Sequence, residues 1–312
     1  MVNQIRPVVT IAIPTYNRAD VCLKHAIESA VSQTYPNIEI IIADNCSTDD
    51  TEILVKNFND PRIRYYKHKK NIGQVRNTNF CLDVAVGDYF LLLHDDDLID
   101  SDFVECCMKA GDYSTEIGLI RTGVRRIDSL GKIVGGRLNI AGGLSTEDFF
   151  IAFLSRKVSM LLCNMVFNTK RLKEIGGFNT IYLRWDDVHA GMQLAARFGR
   201  RDVKEIKASF RRHALQSTFN VNIREWAVDA IFLLNSMCDL VPQKKAMVRD
   251  LGMRYFARHS YEIASDIRSP LNRFIAYLTV FRIFKYRHIP PFVYKALSRT
   301  PFNYLLKVMN IK

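Results

Sequence analysis

Between Val8 and Asp97 the chain alternates short apolar or β-branched runs with stretches of helical spacing, and this alternation constrains the fold more than any other feature. Val8 to Ile13 reads as a strand ended by Pro14, Ile38 to Ala43 as a second that stops at Asp44, and Ile63 to Tyr66 as a third. A fourth runs from Asp88 after Gly87 and is apolar on both faces. Between the first two strands, Leu23, Ala26, Ile27, Ala30 and Val31 recur at helical spacing within residues 20 to 33. Ser47 or Thr48 offers a cap for a helix through Phe58, with Asp49, Asp50 and Glu52 placed to favour its dipole. Gln74 to Val86 predicts a third helix. Strands and helices alternating in this way predict a parallel sheet in a layered α/β domain.

The pattern continues less regularly. A helix is expected over Asp102 to Ala110, strands near Ile117 to Thr122 and Arg125 to Val134, and a helix opened by the capping box Ser145-Thr-Glu-Asp148. Lys170 to Ile175 reads as a short helix closed by Gly176-Gly177, and Asp187 to Phe198 as another. From Asn222 onward the pattern is helical. No internal repeat or low-complexity linker is visible.

The fourth strand, Asp88-Tyr-Phe-Leu-Leu-Leu, ends in His94-Asp95-Asp96-Asp97. Three adjacent acids repel one another, and a divalent cation with oxygen ligands relieves that repulsion. The plain alternative is a solvated acidic turn. In an open parallel sheet, ligands bind beyond the carboxyl ends of the strands. Three such ends carry groups suited to a nucleotide: Pro14-Thr15-Tyr16-Asn17-Arg18, Asp44-Asn45 and the acids at 95 to 97. An aromatic ring can stack on a base, a carboxylate can accept its imide hydrogen, and a metal can bridge phosphates.

Composition narrows the class. The chain has 312 residues, 48% hydrophobic and 24% charged, as ordinary globular proteins do. Met1 to Pro7 is polar and reads as no signal peptide. The longest apolar candidate, Phe274 to Phe284, contains Arg282 and falls well short of the roughly 20 residues needed to span a bilayer. Seven cysteines without a Cys-x-x-Cys fit reduced thiols in a cytoplasmic protein. The net charge is +12, and Val241 to Lys312 holds 14 Lys and Arg against 3 Asp and Glu, so the excess belongs to the tail.

Four ordered segments resemble the family 2 glycosyltransferases, inverting enzymes that use nucleotide-diphosphate sugars on a GT-A fold. They are Ile11-Ala-Ile-Pro-Thr-Tyr-Asn-Arg18, Ile41-Ile-Ala-Asp-Asn-Cys-Ser-Thr-Asp49, Asn71-Ile-Gly-Gln-Val-Arg-Asn77 and Gly87-Asp-Tyr-Phe-Leu-Leu-Leu-His-Asp-Asp-Asp97. The resemblance is dense over residues 8 to 103 and thinner to about 215. It implies that Pro14 and Tyr16 line a base pocket, that Asp44 holds the base edge, and that Arg76 faces the diphosphate in a loop opened by Gly73. It implies Asp96 as the main ligand of Mn²⁺ or Mg²⁺, Asp95 near ribose or metal water, and Asp97 beside them. His94 departs from the pattern, standing where many members have Asp. A base that deprotonates the acceptor hydroxyl is expected in the acidic pair after Gly176-Gly177-Phe178; Asp187 is that base and Asp186 orients it. The pair equally suits helix capping. His213 resembles a histidine held near metal and diphosphate, although a histidine after two arginines also suits a plain surface. The Gln-x-x-Arg-Trp motif and membrane spans of the processive members are missing, which fits single addition.

The expected organisation is a GT-A domain over residues 1–220 and a basic helical region over 221–312. In that region Phe274, Tyr277, Phe281, Phe284, Phe292 and Tyr294 interleave with Arg273, Arg282, Lys285, Arg287 and Lys295. Such a segment can lie on an anionic membrane surface, bringing a lipid-linked glycan acceptor within reach at the inner leaflet, or it can cap the core with its cations outward. No nucleic-acid motif accompanies the charge. Two rivals stand beside a surface-polysaccharide transferase: a transferase acting on a protein or small molecule, and a binding module without catalysis.

Overall fold

The structure, a computed structural model, describes residues 6–19, 21–212 and 222–285. The first half follows the alternation in the sequence: β1 (Val9–Thr15), α1 (Val21–Val31), β2 (Ile38–Asp44), α2 (Thr51–Lys56), β3 (Ile63–Lys67), α3 (Gln74–Val84) and β4 (Tyr89–Leu92). β1 lies between β2 and β4, and β3 flanks β2, all parallel. Every residue of β2 and β4 is buried, as expected of strands covered on both faces. The second helix begins later than its sequence signals suggest, because Ser47 and Asp49 serve the loop after β1 instead: their side chains accept from the amides of Asn17 and Ala19.

Pro14 shapes the sheet where the site lies. Alternate residues of a strand present their backbone groups to opposite neighbours. Ala12 offers its carbonyl to Leu93 beyond β4, and Thr15 offers its own to Asn45 beyond β2. The missing N–H of Pro14 therefore falls on the β4 side, and β1–β4 pairing ends at Ala12 while β1–β2 pairing runs on to Thr15. The two strands part there, at the edge where Tyr16 and the acids emerge.

After the acids come β5 (Leu98–Ile99), α4 (Phe103–Ala110), β6 (Leu119–Ile127), β7 (Ile133–Arg137), α5 (Thr146–Leu154), β8 (Met165–Asn168), α6 (Thr169–Glu174), α7 (Asp186–Phe198) and β9 (Arg200–Arg211). The sheet runs β3-β2-β1-β4-β8-β6-β9-β5, with β7 paired to β6. Here β4–β8, β6–β8, β6–β7 and β5–β9 are antiparallel and β6–β9 is parallel. Two expectations are corrected. The strands read at 117–122 and 125–134 are one strand, β6, followed by a turn and β7. β8 and β9 were not foreseen, because β8 is four residues long and β9 carries charges at most alternate positions. Ser145 caps α5 as expected, accepting from the Asp148 amide at 3.1 Å.

The core of this part packs Ile11, Ile13, Ile40, Ile42 and Leu91 against Leu23 and Ile27 of α1 and Phe103 and Cys107 of α4. A charged cluster lies under α5: Asp202 pairs with Arg200 at 2.5 Å and Arg121 at 3.4 Å, and the Phe149 ring sits against both guanidiniums. None of the seven cysteines forms a disulfide.

The described residues divide into two compact units, 6–179 with 186–212, and 180–185 with 222–285. The second contains α8 (Ile223–Leu240), α9 (Lys245–Ser265) and α10 (Pro270–Ile283). Trp185 is its hub, with Phe256, His259 and Trp226 rings 5.2, 5.1 and 5.7 Å away. Asp229 of α8 is fully buried and accepts from Thr180 Oγ1, Tyr182 N and Arg184 N at 2.7, 2.9 and 2.9 Å. Among the described residues no helix is long and apolar enough to cross a membrane.

Candidate active site

The acids after β4 form a tight turn held from behind by Arg211, the last residue of β9. The Arg211 amide donates to Asp97 Oδ1 at 2.9 Å and its Nε donates to the Asp96 carbonyl at 2.8 Å. Its Nη1 reaches the carbonyls of Asp128 and Ser129 at 3.1 and 3.3 Å. Arg211 is 3% exposed, so the turn rests on a buried cation. Ligand atoms of His94, Asp96 and Asp97 all lie within 4.8 Å of one another. Burial pushes the Asp95 carboxyl up to about 6, and burial with the Asp96 charge pushes Asp97 up to about 7. Crowded, desolvated carboxylates beside an imidazole are a donor set that suits a divalent cation, which would lower both. The residues present therefore fit such an ion, with His94, Asp96 and Asp97 to hold it.

The neighbouring strand exits are tied to this turn. Arg18, past the end of β1, pairs with Asp95 at 3.8 Å. Asn17 has a φ of +50°, and the loop it enters is stitched to the β2 exit: Asn17 N donates to Ser47 Oγ, and Thr48 N donates to Asn17 Oδ1, each at 2.8 Å. Tyr16 stands out from this loop, 45% exposed, and Pro14 is half-buried. Asp44 has no solvent exposure; it accepts from Ser47 N at 2.7 Å and from the Tyr65 hydroxyl at 2.6 Å. Asp44 thus holds the turn on which the Tyr16 loop rests.

Arg76 is exposed in the first turn of α3, whose entry is fixed by asparagines. Asn45 Oδ1 accepts from Ile72 N at 2.8 Å, and Asn71 Oδ1 accepts from Gly73 N at 2.9 Å and from Asn45 Nδ2 at 3.0 Å. Gly73 has a φ of +88°, the left-handed region where glycine is at ease. Asn77 Nδ2 donates to the Ala43 carbonyl at 2.8 Å and fastens α3 to β2.

Asp186 and Asp187 open α7. The Asp187 carboxylate accepts from Val188 N at 2.7 Å, and burial together with the Asp186 charge pushes it up to about 7. A His94 positive charge acts in the opposite direction on Asp187, as it does on Asp95 and Asp97. Asp95, Asp97 and Asp187 thus each lie within electrostatic reach of His94. The approach to α7 depends on Gly177, whose φ is +73° and where a Cβ would meet Asn79 Oδ1 at 2.6 Å. His213 lies outside the described residues.

Sequence reasoning missed the structural parts of Arg211, Asn45 and Asn77 and the nearness of His94 to Asp96 and Asp97. In the sequence Arg211 is one of two arginines before His213, and His94 a departure from a pattern. Asn45 stands in the sequence only as part of a polar strand end and Asn77 only at the close of a family-like segment.

Residues 10–128 match glycosyl transferase family 2. Over 136 residues the chain is 35% identical to the chondroitin synthase of Escherichia coli, covering 43% of this chain and 19% of that protein. Over 172 residues it is 29% identical to the Campylobacter jejuni GalNAc(5)-diNAcBac-PP-undecaprenol beta-1,3-glucosyltransferase, covering 54% of this chain and 55% of that protein. The chain spans less than two thirds of the length of either curated relative. Among solved structures, S. aureus TarS 1–349 superposes with a TM-score of 0.56 at 14% identity over 89% of both chains. A Pyrobaculum calidifontis mannosyltransferase solved with GDP-Man and Mn²⁺ superposes with a TM-score of 0.54 at 16% identity, over 98% of this chain and 84% of that one. At these identities the likeness is one of fold, the GT-A fold expected from the motifs. Residues 10–128 are thus similar to glycosyl transferase family 2, on a fold shared with these solved structures.

Proposed function

We propose that the chain is a metal-dependent inverting glycosyltransferase that moves one sugar from a nucleotide-diphosphate sugar to a hydroxyl of a glycan acceptor. The observation that carries this reading is the cluster of His94, Asp96 and Asp97 after β4, whose ligand atoms all lie within 4.8 Å of one another. Pro14 and Tyr16 take the nucleobase, and Asp44 acts on that pocket through the Ser47 turn it holds. Arg76 meets the diphosphate, and Asp95 the ribose side. A divalent cation, Mn²⁺ or Mg²⁺, would supply neutralisation of the charge that grows on the leaving diphosphate. His94, Asp96 and Asp97 present the donor atoms for it.

Asp187 takes the proton of the acceptor hydroxyl as its oxygen bonds to the anomeric carbon from the face opposite the breaking phosphate–sugar bond. The nucleoside diphosphate leaves with that bond's electron pair, and the anomeric centre inverts. Asp186 keeps the neighbouring carboxyl poised through its charge. The test is a panel of nucleotide sugars scored for hydrolysis with and without Mn²⁺. One donor hydrolysed only with metal supports the reading, and metal-independent hydrolysis of every donor rejects it.

The acceptor we infer is lipid-linked, in surface-polysaccharide synthesis on the inner face of the cell membrane. The relative from Campylobacter jejuni bears an undecaprenol-linked substrate in its name and supports this choice. So does α10, where Leu271, Phe274, Ile275 and Leu278 are exposed at helical spacing and lead on to exposed Arg282 and Lys285. Reversing the charge of Arg282 and Lys285 should weaken binding to anionic vesicles. Unchanged binding would remove α10 from that role.

A further inference from the structure

From the β6–β7 hairpin we infer a second contact with lipid: its tip is a docking element for an anionic membrane surface. Leu130 is 91% exposed, Ile133 61%, Val134 59%, Leu138 51% and Ile140 55%. Five large apolar side chains are exposed within eleven residues of one hairpin, a density that single scattered surface hydrophobics do not reach. Arg126, Lys132 and Arg137 are exposed among them, and the one acid between Arg126 and Leu144 is Asp128. The Asp128 carboxylate is turned inward on the hairpin's own backbone, accepting from Leu130 N and Lys132 N at 2.9 Å each. What faces outward is therefore apolar and cationic, the complement of acyl chains beneath anionic headgroups.

The tip is built to enter such an interface. Besides the two amides held by Asp128, Gly131 N donates to the Asp128 carbonyl and Asp128 N donates to the Lys132 carbonyl, so the turn satisfies its own backbone. Among the described residues β7 pairs with β6 alone, leaving its outer edge for headgroups and water. A second copy of the chain is the competing occupant of that edge. Antiparallel self-pairing about Gly135 would set Lys132 opposite Leu138 and Arg137 opposite Ile133, lining one seam with four cations, a repulsion that an anionic surface turns to attraction.

The hairpin's base is shared with the candidate active site. Arg211 holds Asp128 and Ser129 with one end of its guanidinium and Asp96 with the other. A membrane bound at Leu130 thus fixes the height of the Asp96 turn above the lipid. This deepens the proposed lipid-linked acceptor, but vesicle binding is measured without donor, so its failure leaves the transferase reading untouched.

The test is co-sedimentation of the full chain with phosphatidylcholine vesicles, with and without phosphatidylglycerol. The wild type should bind the phosphatidylglycerol vesicles, and the Leu130→Ser/Val134→Ser pair should bind them about tenfold or more weakly. Lys132→Glu should weaken binding as well. In Leu130→Trp, at a position exposed enough to accept any side chain, indole emission should shift to the blue on adding the same vesicles. Equal binding by wild type and the paired variant, or an unmoved emission maximum, overturns the proposal. So does a wild-type dimer in light scattering that the paired variant splits. If the paired variant melts early, Leu130→Trp decides alone.

Discussion

Asp187 shows how a single carboxyl couples burial to chemistry. Its pKa of about 7 lies above the ordinary 3.8, because burial and the Asp186 charge both disfavour ionisation. The folded chain therefore holds this proton more tightly than the unfolded chain, and ionising Asp187 costs stability as pH rises from near 4 to near 7. The base form accumulates above that range, so transfer should rise with pH along a limb centred near 7. Asp187→Asn should cut the transfer rate by about 10²- to 10⁴-fold, abolish that limb and leave donor affinity in place. Steady-state kinetics with a donor-binding titration would check it, and wild-type transfer by the variant would end the base assignment. Asp187 was legible as a candidate because an acidic pair follows Gly176-Gly177-Phe178 and opens a helix. The buttress under the neighbouring acids was not, since Arg211 lies more than a hundred positions from Asp96 and meets it only because β9 ends beside that turn.

At the scale of elements, β1, β2 and β4 were readable because strands buried on both faces leave largely apolar runs in the sequence. β9 was hidden for the opposite reason. Arg200 and Asp202 sit within it as buried charges that satisfy one another through Arg121 and the Phe149 ring, so its interior positions do not look apolar. Burial lowers the Arg121 guanidinium to about 10, even with Asp202 raising it. Removing the shared partner leaves two buried cations facing each other. Asp202→Ala should therefore cost about 3–5 kcal/mol in urea unfolding. A loss below about 1 kcal/mol would mean that the cluster behaves as a surface ion pair. The consequence reaches the candidate site, because β9 ends in Arg211, the strut of the Asp96–Asp97 turn.

For the molecule as a whole, the division into two units passes between Trp185 and Asp186. The peptide that delivers the acidic pair to one unit thus begins in the other, where Asp229 and the Trp185 ring cluster hold it. The excess of positive charge toward the carboxyl end was legible in composition, whereas the exposed apolar hairpin was not, since Ile133 and Val134 read as an ordinary strand until burial is known. Thermal unfolding with UDP or GDP, with and without Mn²⁺, in wild type and Asp96→Ala tests most directly the claim that separate strand exits meet around a cation. Nucleotide should raise the wild-type melting temperature only when Mn²⁺ is present, and should leave Asp96→Ala unmoved. Stabilisation of equal size without metal, or a metal-dependent rise that survives in Asp96→Ala, would contradict it.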